Sequence, residues 1–341
     1  MKSISLFAVC LLFYFSGIAA LTYEVLWVRH LGLIFGNTVY AAATVMMTYM
    51  FGLALGSHFA GKWEKRIKNP VRVFGLLELS TAAYAFCVPF IFDLIQFSYR
   101  FAAINISDSI IFLTFIRVFL ALILLLIPTA MMGATLPVLA KGFLNKFEHF
   151  GLRLGLLYGI NTFGAVCGVV LAGFIFIPKL GMASSNILAV SVDTIVGSIA
   201  LLSSYKLNKN LSYSKENKSE VIINYQLSKS LRLLLFAIAV SGFISLTMEV
   251  IWFRALILIF GSTTYSFSAM LGIFLTGLSI GSLLISKYAD KIKYPARLFG
   301  WSSLLIGIFT FLSLYIFTLM PDFLLKNLML NDKPSWDKMI I

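Results

Sequence analysis

SGIAALTYEVLWVRHLGLIFGNTVY, residues 16–40, is written a second time in the chain as SGFISLTMEVIWFRALILIFGSTTY, residues 241–265. Working outward, residues 16–75 match residues 241–300 at a constant offset of 225, with 26 of 60 positions identical and no gap. Two unrelated apolar helices do not agree to this extent, so the chain contains an internal repeat. Glu24, Trp27, Arg29, Gly36, Tyr40, Gly52, Gly56 and Lys62 return as Glu249, Trp252, Arg254, Gly261, Tyr265, Gly277, Gly281 and Lys287. The second copy also disposes of a competing reading of the start. Lys2, an apolar stretch and the small residues 16–20 resemble a secretory leader, but a segment in mid-chain is not a leader.

Of the 341 residues, 60% are hydrophobic and only 12% charged, with mean hydropathy +0.94. Ordinary soluble domains are roughly 25% charged. Apolar runs of about 20 residues, the length that crosses a hydrocarbon core, recur along the whole chain. They are continuous rather than alternating, which predicts helices, because lipid leaves every backbone group to be satisfied within the segment. The expected fold is an all-α polytopic membrane protein with about nine transmembrane helices. Their limits are 4–29, 39–61, 72–99, 109–141, 151–178, 184–204, 231–258, 263–286 and 296–320.

The net charge of +13 would suggest nucleic acid in a soluble protein, but the basic residues lie between the apolar runs. Lys62 to Arg72, Lys141 to Arg153, Lys206 to Arg232 and Lys287 to Arg297 all fall in alternate loops, on one side of the bilayer. The positive-inside rule makes that side, and the N-terminus with Lys2, cytoplasmic. Nucleic-acid binding has no motif beyond the charge that topology explains. Cys10, Cys87 and Cys167 lie inside apolar runs without paired spacing and read as packing residues.

Residues 205–230, rich in Lys, Asn and Ser, divide a first membrane repeat, 1–204, from an incomplete second one, 231–341. Six spans separate the two copies, so both enter the membrane in the same direction. Parallel six-helix halves joined by a cytoplasmic linker are the plan of the major facilitator superfamily, with substrate between the halves. The second half here has three spans, and Met339-Ile340-Ile341 read as the start of a further one. The chain is therefore expected to be a fragment of a longer protein or the product of a split gene.

The run SGIAALTYEVLW, the Gly52 and Gly56 pair, IPTAMMGATLPVLAK at 127–141 and YGINTFGAVCGVVLAGFIFIPKLG at 158–181 resemble the membrane domain of bacterial fused spermidine synthases. In that family a transporter-like helical domain precedes a cytosolic aminopropyltransferase. The resemblance implies a bacterial plasma-membrane location, with an aminopropyltransferase domain or subunit and a small cationic solute as partners beside the lipid bilayer. This chain has no Gly-Gly pair and no soluble α/β stretch, so the resemblance reaches the membrane half alone. No catalytic residue, enzymatic activity or cofactor is carried over.

Several residues carry charge or polarity into apolar context. Glu24 and Glu249 each follow some 16 to 20 apolar residues, which places them in the outer part of the bilayer. Such groups need a partner or a wet cavity. They read as a cation or proton site between the halves, or as structural ion pairs with Arg29 and Arg254. Those arginines lie roughly 140° round the helix from their own Glu, so pairing between helices is favoured over pairing within one. Arg117 faces a cavity or serves as partner to a carboxylate; Asp193 is a further buried charge, and Glu78 reads as a charge near a helix end. Asn161 and Thr162 precede a small-residue stripe, Gly164, Gly168 and Gly173, and are placed to bond across helices or to a solute. Pro128 and Pro137 are expected to kink or break span four. Asp290 and Lys291 form a candidate cytoplasmic gate, with Glu64-Lys65 displaced by one position in the first copy. His30, His58 and His149 are scattered, so no metal site is expected.

Overall fold

The computed structural model describes residues 6–36, 39–63, 66–105, 109–143, 150–208, 229–261 and 263–329. Among these residues the chain is helical throughout, with no strand. The helices are α1 (Leu6–Phe35), α2 (Val39–Lys62), α3 (Pro70–Asn105), α4 (Ile110–Phe143), α5 (Phe150–Leu171), α6 (Ile177–Asn208), α7 (Lys229–Phe260), α8 (Thr263–Ser286) and α9 (Pro295–Met329). Among the described residues, seven helical stretches are long and apolar enough to cross a membrane. One of them, Gly151–Tyr205, is 55 residues long and contains α5, a π-helical turn at Ala172–Phe176, and α6. Its path breaks at Gly181 (φ 77°, ψ 172°), a conformation that a Cβ would strain. The architecture is that of a polytopic helical membrane protein. Large apolar side chains such as Phe7, Ile104, Ile111 and Phe115 coat the outside, while Glu24, Glu78, Asp193 and Thr48 are buried.

The repeat is visible in the helix limits. α1 ends at Phe35 and α7 at Phe260, each followed by a glycine in the left-handed region, Gly36 (φ 84°) and Gly261 (φ 68°). That is the usual way of ending a helix with its last carbonyls satisfied. α3 and α9 both open on a proline, Pro70 and Pro295, where the missing N–H costs nothing. At Pro70 the Asn69 side chain accepts the Arg72 N–H at 3.1 Å, whereas Arg297 instead covers the ring of Tyr294 at 4.8 Å.

By contacts, the chain forms two units, residues 1–212 with 263–290, and residues 213–262 with 291–341. The first therefore holds α1 to α6 together with α8; of the second repeat, α7 and α9 make up the other unit. Residues 209–228, most of the expected linker, and the tail from 330 onward lie outside the described residues, as do Glu64, Lys65 and His149.

Within the first unit, small residues set which helices touch. Methyl groups added at Gly164 and Gly168 of α5 would collide with the backbone of Tyr14 and Ile18 on α1. At Gly56 and Gly133, methyls would drive α2 and α4 apart. Gly155 and Gly159 of α5 meet Ser286, Ser282 and Leu283 of α8. Close approach of this kind is how helices associate where lipid gives no hydrophobic gain.

Of the kink or break expected at Pro128 and Pro137, a break is not found, for α4 runs through both. Proline at position i leaves the carbonyl of i−4 without its helical donor. For Pro128 that carbonyl belongs to Leu124, and the Tyr84 hydroxyl of α3 donates to it at 2.9 Å. The same device recurs at Pro89 in α3, whose freed carbonyl, that of Ala85, accepts from Asn186 Nδ2 at 2.9 Å. Tyr84→Phe is expected to destabilise the bundle by about 1 kcal/mol. Unfolding in mixed micelles measures this, and an unchanged midpoint would remove the role assigned to the hydroxyl.

Candidate functional site

Gly75 of α3 and Gly197 of α6 lie against one another, so close that a Cβ on either would press on the other's carbonyl at 2.9 to 3.0 Å. Their contact draws the two backbones together one helical turn from Glu78 and Asp193. The two carboxyl groups consequently face each other and interact directly. Glu78 is 3% exposed and Asp193 is 2% exposed. From α1, the Ser16 hydroxyl donates to Glu78 Oε1 at 2.8 Å. The Tyr23 hydroxyl is directed toward Asp193 without closing a hydrogen bond, and Asp193 Oδ2 has no protein donor. Among the described residues no Lys or Arg contacts either carboxylate.

Two acidic groups side by side in a helical bundle repel when both are charged. Burial makes each charge costlier still. A structural ion pair would put a base beside them. This pair instead offers oxygen ligands, one hydroxyl donor and no compensating cation, the donor set that suits a bound proton or small cation.

Glu78, expected to be a charge near a helix end, does lie toward the start of α3; its pairing with Asp193 was not anticipated. The signal for it is depth. Glu78 lies eight residues into α3 and Ser16 ten into α1, two helices that start from the same side, while Asp193 lies fifteen before the end of α6, which returns to that side. At 1.5 Å per residue all three sit roughly 12 to 23 Å from one face.

The remaining candidates disperse. Glu24, also buried, lies beside the Tyr49 hydroxyl of α2, which reaches Ala20 O at 3.4 Å and Met132 Sδ at 3.6 Å. Arg29 donates to the Thr264 hydroxyl of α8. The Nε and Nη2 of Arg117 donate to the Tyr99 hydroxyl at 3.0 and 2.8 Å, a phenol in place of the expected carboxylate or cavity. Phe35 packs edge-on against that Tyr99 ring. The guanidinium thus ties α4 to α3 through a phenol. Asn161 does bond across helices, donating to Phe13 O at 2.9 Å, whereas Thr162 donates to Tyr158 O of its own helix at 2.8 Å. Glu249 and Arg254 belong to α7 of the second unit.

Asp290 receives the backbone N–H groups of Gly151 at 2.8 Å and Leu152 at 3.2 Å. It thus closes the N-terminus of α5, where orphan donors and the helix dipole favour a carboxylate. Lys291, the other half of the expected gate, is exposed. The three cysteines are free, and Cys167 accepts from the Tyr14 hydroxyl at 3.2 Å. No group of three His, Cys, Asp or Glu among the described residues is arranged to hold a metal ion. No family model, no curated protein and no solved structure matches this chain.

Proposed function

We propose that this chain is the membrane module of a spermidine-synthase-like protein, built on major-facilitator-like parallel repeats, and that it moves a small cationic solute across a bacterial plasma membrane. In this reading the N-terminus and the basic loops are cytoplasmic, and an aminopropyltransferase domain or subunit works beside the module. The observation that carries it is the Glu78–Asp193 pair, two buried carboxylates with no basic neighbour. A bundle built only to anchor an enzyme has no use for such a pair, because apolar residues in its place are at least as stable. Glu24 is a third carboxylate at membrane depth in the same unit. Repeated helix limits in α1 and α7, and in α3 and α9, support the parallel plan.

A scaffold without a pathway is the second reading. It draws on Arg29 and Arg117, whose hydrogen bonds to Thr264 and Tyr99 hold helices together.

Flux of labelled spermidine into proteoliposomes separates the two. The wild-type chain is expected to carry it faster than protein-free vesicles do, and Asp193→Asn, reconstituted to the same level, to cut the initial rate at least tenfold. Wild-type vesicles as tight as protein-free ones to spermidine, putrescine and monovalent cations would leave only the scaffold.

A further inference from the structure

Three helices present polar groups in register along one seam of the first unit. On α1, Ser16, Tyr23, Trp27 and His30 follow at spacings that keep them on one face; on α3, Glu78, Ala85, Pro89 and Phe92 repeat the same spacings. On α6, Asn186 and Asp193 are seven residues apart and run the opposite way, Asp193 toward Glu78 and Asn186 toward Ala85. From Ser16 to His30 the seam is about 21 Å long at 1.5 Å per residue.

Five polar atoms on this seam are buried without a protein partner: the Tyr23 hydroxyl, Trp27 Nε1, His30 Nδ1, Asn186 Oδ1 and Asp193 Oδ2. Trp27 is 1% exposed and Asn186 is 7% exposed. Buried polar groups in native proteins are otherwise almost always satisfied. Three of the five meet at one cavity of about 60 Å³, bounded by Trp27, His30, Val88, Pro89, Phe92 and Asn186. The bond to Ala85 O fixes Asn186 Nδ2, which leaves Oδ1 for the cavity. The stack of Tyr23 on Trp27, centroids 5.4 Å apart, leads from the cavity toward Asp193.

We propose that this seam is a water site: ordered water molecules bind Trp27, His30 and Asn186 and continue past Tyr23 to the Glu78–Asp193 pair. The chemistry of the lining selects water. Trp27 Nε1 needs an acceptor and Asn186 Oδ1 needs a donor, so an ammonium group, which only donates, or an anion, which only accepts, leaves one of them unmet. The volume holds roughly four waters at 10–15 Å³ each. Such a file also delivers protons to the pair, a use that rests on the cation-site reading above, whereas the water itself does not. A hydronium ion at the cavity end gives up its proton and is left as water, each hop breaks one O–H bond and makes another, and one carboxylate oxygen gains the proton. The titratable groups facing the seam are Tyr23 and His30 from α1, Glu78 from α3 and Asp193 from α6. Arg29 and Asp93 lie within electrostatic reach of His30.

Hydroxyl-radical footprinting of the full chain in nanodiscs reads bound water directly, because radicals formed on it attack the adjacent side chain. After correction for intrinsic reactivity, Trp27 is expected to be oxidised at least tenfold faster than Phe13 and Phe74, which are equally buried at 1% exposed. Val88→Phe, which fills the cavity, should bring Trp27 down to their rate. Ala183→Trp, at another wall of the cavity, serves if that variant does not assemble. Wild-type Trp27 as slow as the two phenylalanines overturns the water site, even where spermidine flux is intact. Fast oxidation of Trp27 without flux supports the water site and counts against the transport reading alone.

Discussion

Gly56→Val is expected to abolish assembly of the first unit, while the matching change in the second repeat, Gly281→Val, is expected to leave it intact. Both glycines occupy the same place in the repeated sequence, 225 residues apart, so the sequence alone treats them as equivalent. Their surroundings differ. A Cβ at Gly56 would run into the backbone of Ala130 on α4, and one at neighbouring Gly52 into the Thr129 side chain; around Gly277 and Gly281 nothing lies within 4 Å. The obstruction at Gly56 is a backbone carbonyl, which cannot rotate aside, so α2 and α4 must separate along their whole contact. Overpacking of this severity costs about 3 kcal/mol or more, a large share of a typical domain's 5–15 kcal/mol. Gly281→Val removes only some backbone freedom and is expected to be neutral within about 0.5 kcal/mol. Monodispersity and thermal midpoint in detergent measure both variants. A folded Gly56→Val protein with an unchanged midpoint would contradict the α2–α4 packing described here.

That contrast also marks where the sequence stops being informative. The all-helical class and the membrane-spanning character were legible because apolar run length is a local signal, although seven stretches long and apolar enough to span are found among the described residues where about nine were expected. The neighbours of each helix were not legible. These helices are apolar nearly all round, so periodicity marks no single face to bury. Contacts are chosen by small residues whose partners lie in distant sequence, such as Gly75 with Gly197. The partners of Glu78 were not legible for the same reason, since its environment is made by α1 and α6. Pro128 and Pro137 looked like breaks because the donor that rescues the Leu124 carbonyl, Tyr84, sits on another helix. Asp193 was recognisable as a charge in apolar context, but its companion was not.

Replacing both members of the pair, Glu78→Leu with Asp193→Leu, should end cation flux while leaving the protein as stable as before or more so. A carboxylate pair without a base contributes no Coulombic attraction to folding and costs desolvation at both groups. Exchanging buried ionisable clusters for apolar residues of similar volume is often neutral or stabilising by about 1–4 kcal/mol. Leucine keeps the forked shape of the aspartate side chain, though with a larger volume, and the seam beside Gly75 and Gly197 keeps its close approach because neither glycine changes. The Ser16 hydroxyl loses its acceptor, a loss of about 1 kcal/mol that Ser16→Ala added to the double variant would remove. Stability and flux are therefore expected to move apart: unfolding midpoint unchanged or raised, initial spermidine rate down at least a hundredfold. A group kept for function at the expense of stability behaves in this way. If the double variant instead unfolds at lower denaturant and restoring Asp193 alone recovers the midpoint, the carboxylates hold the helices together and the pair is structural.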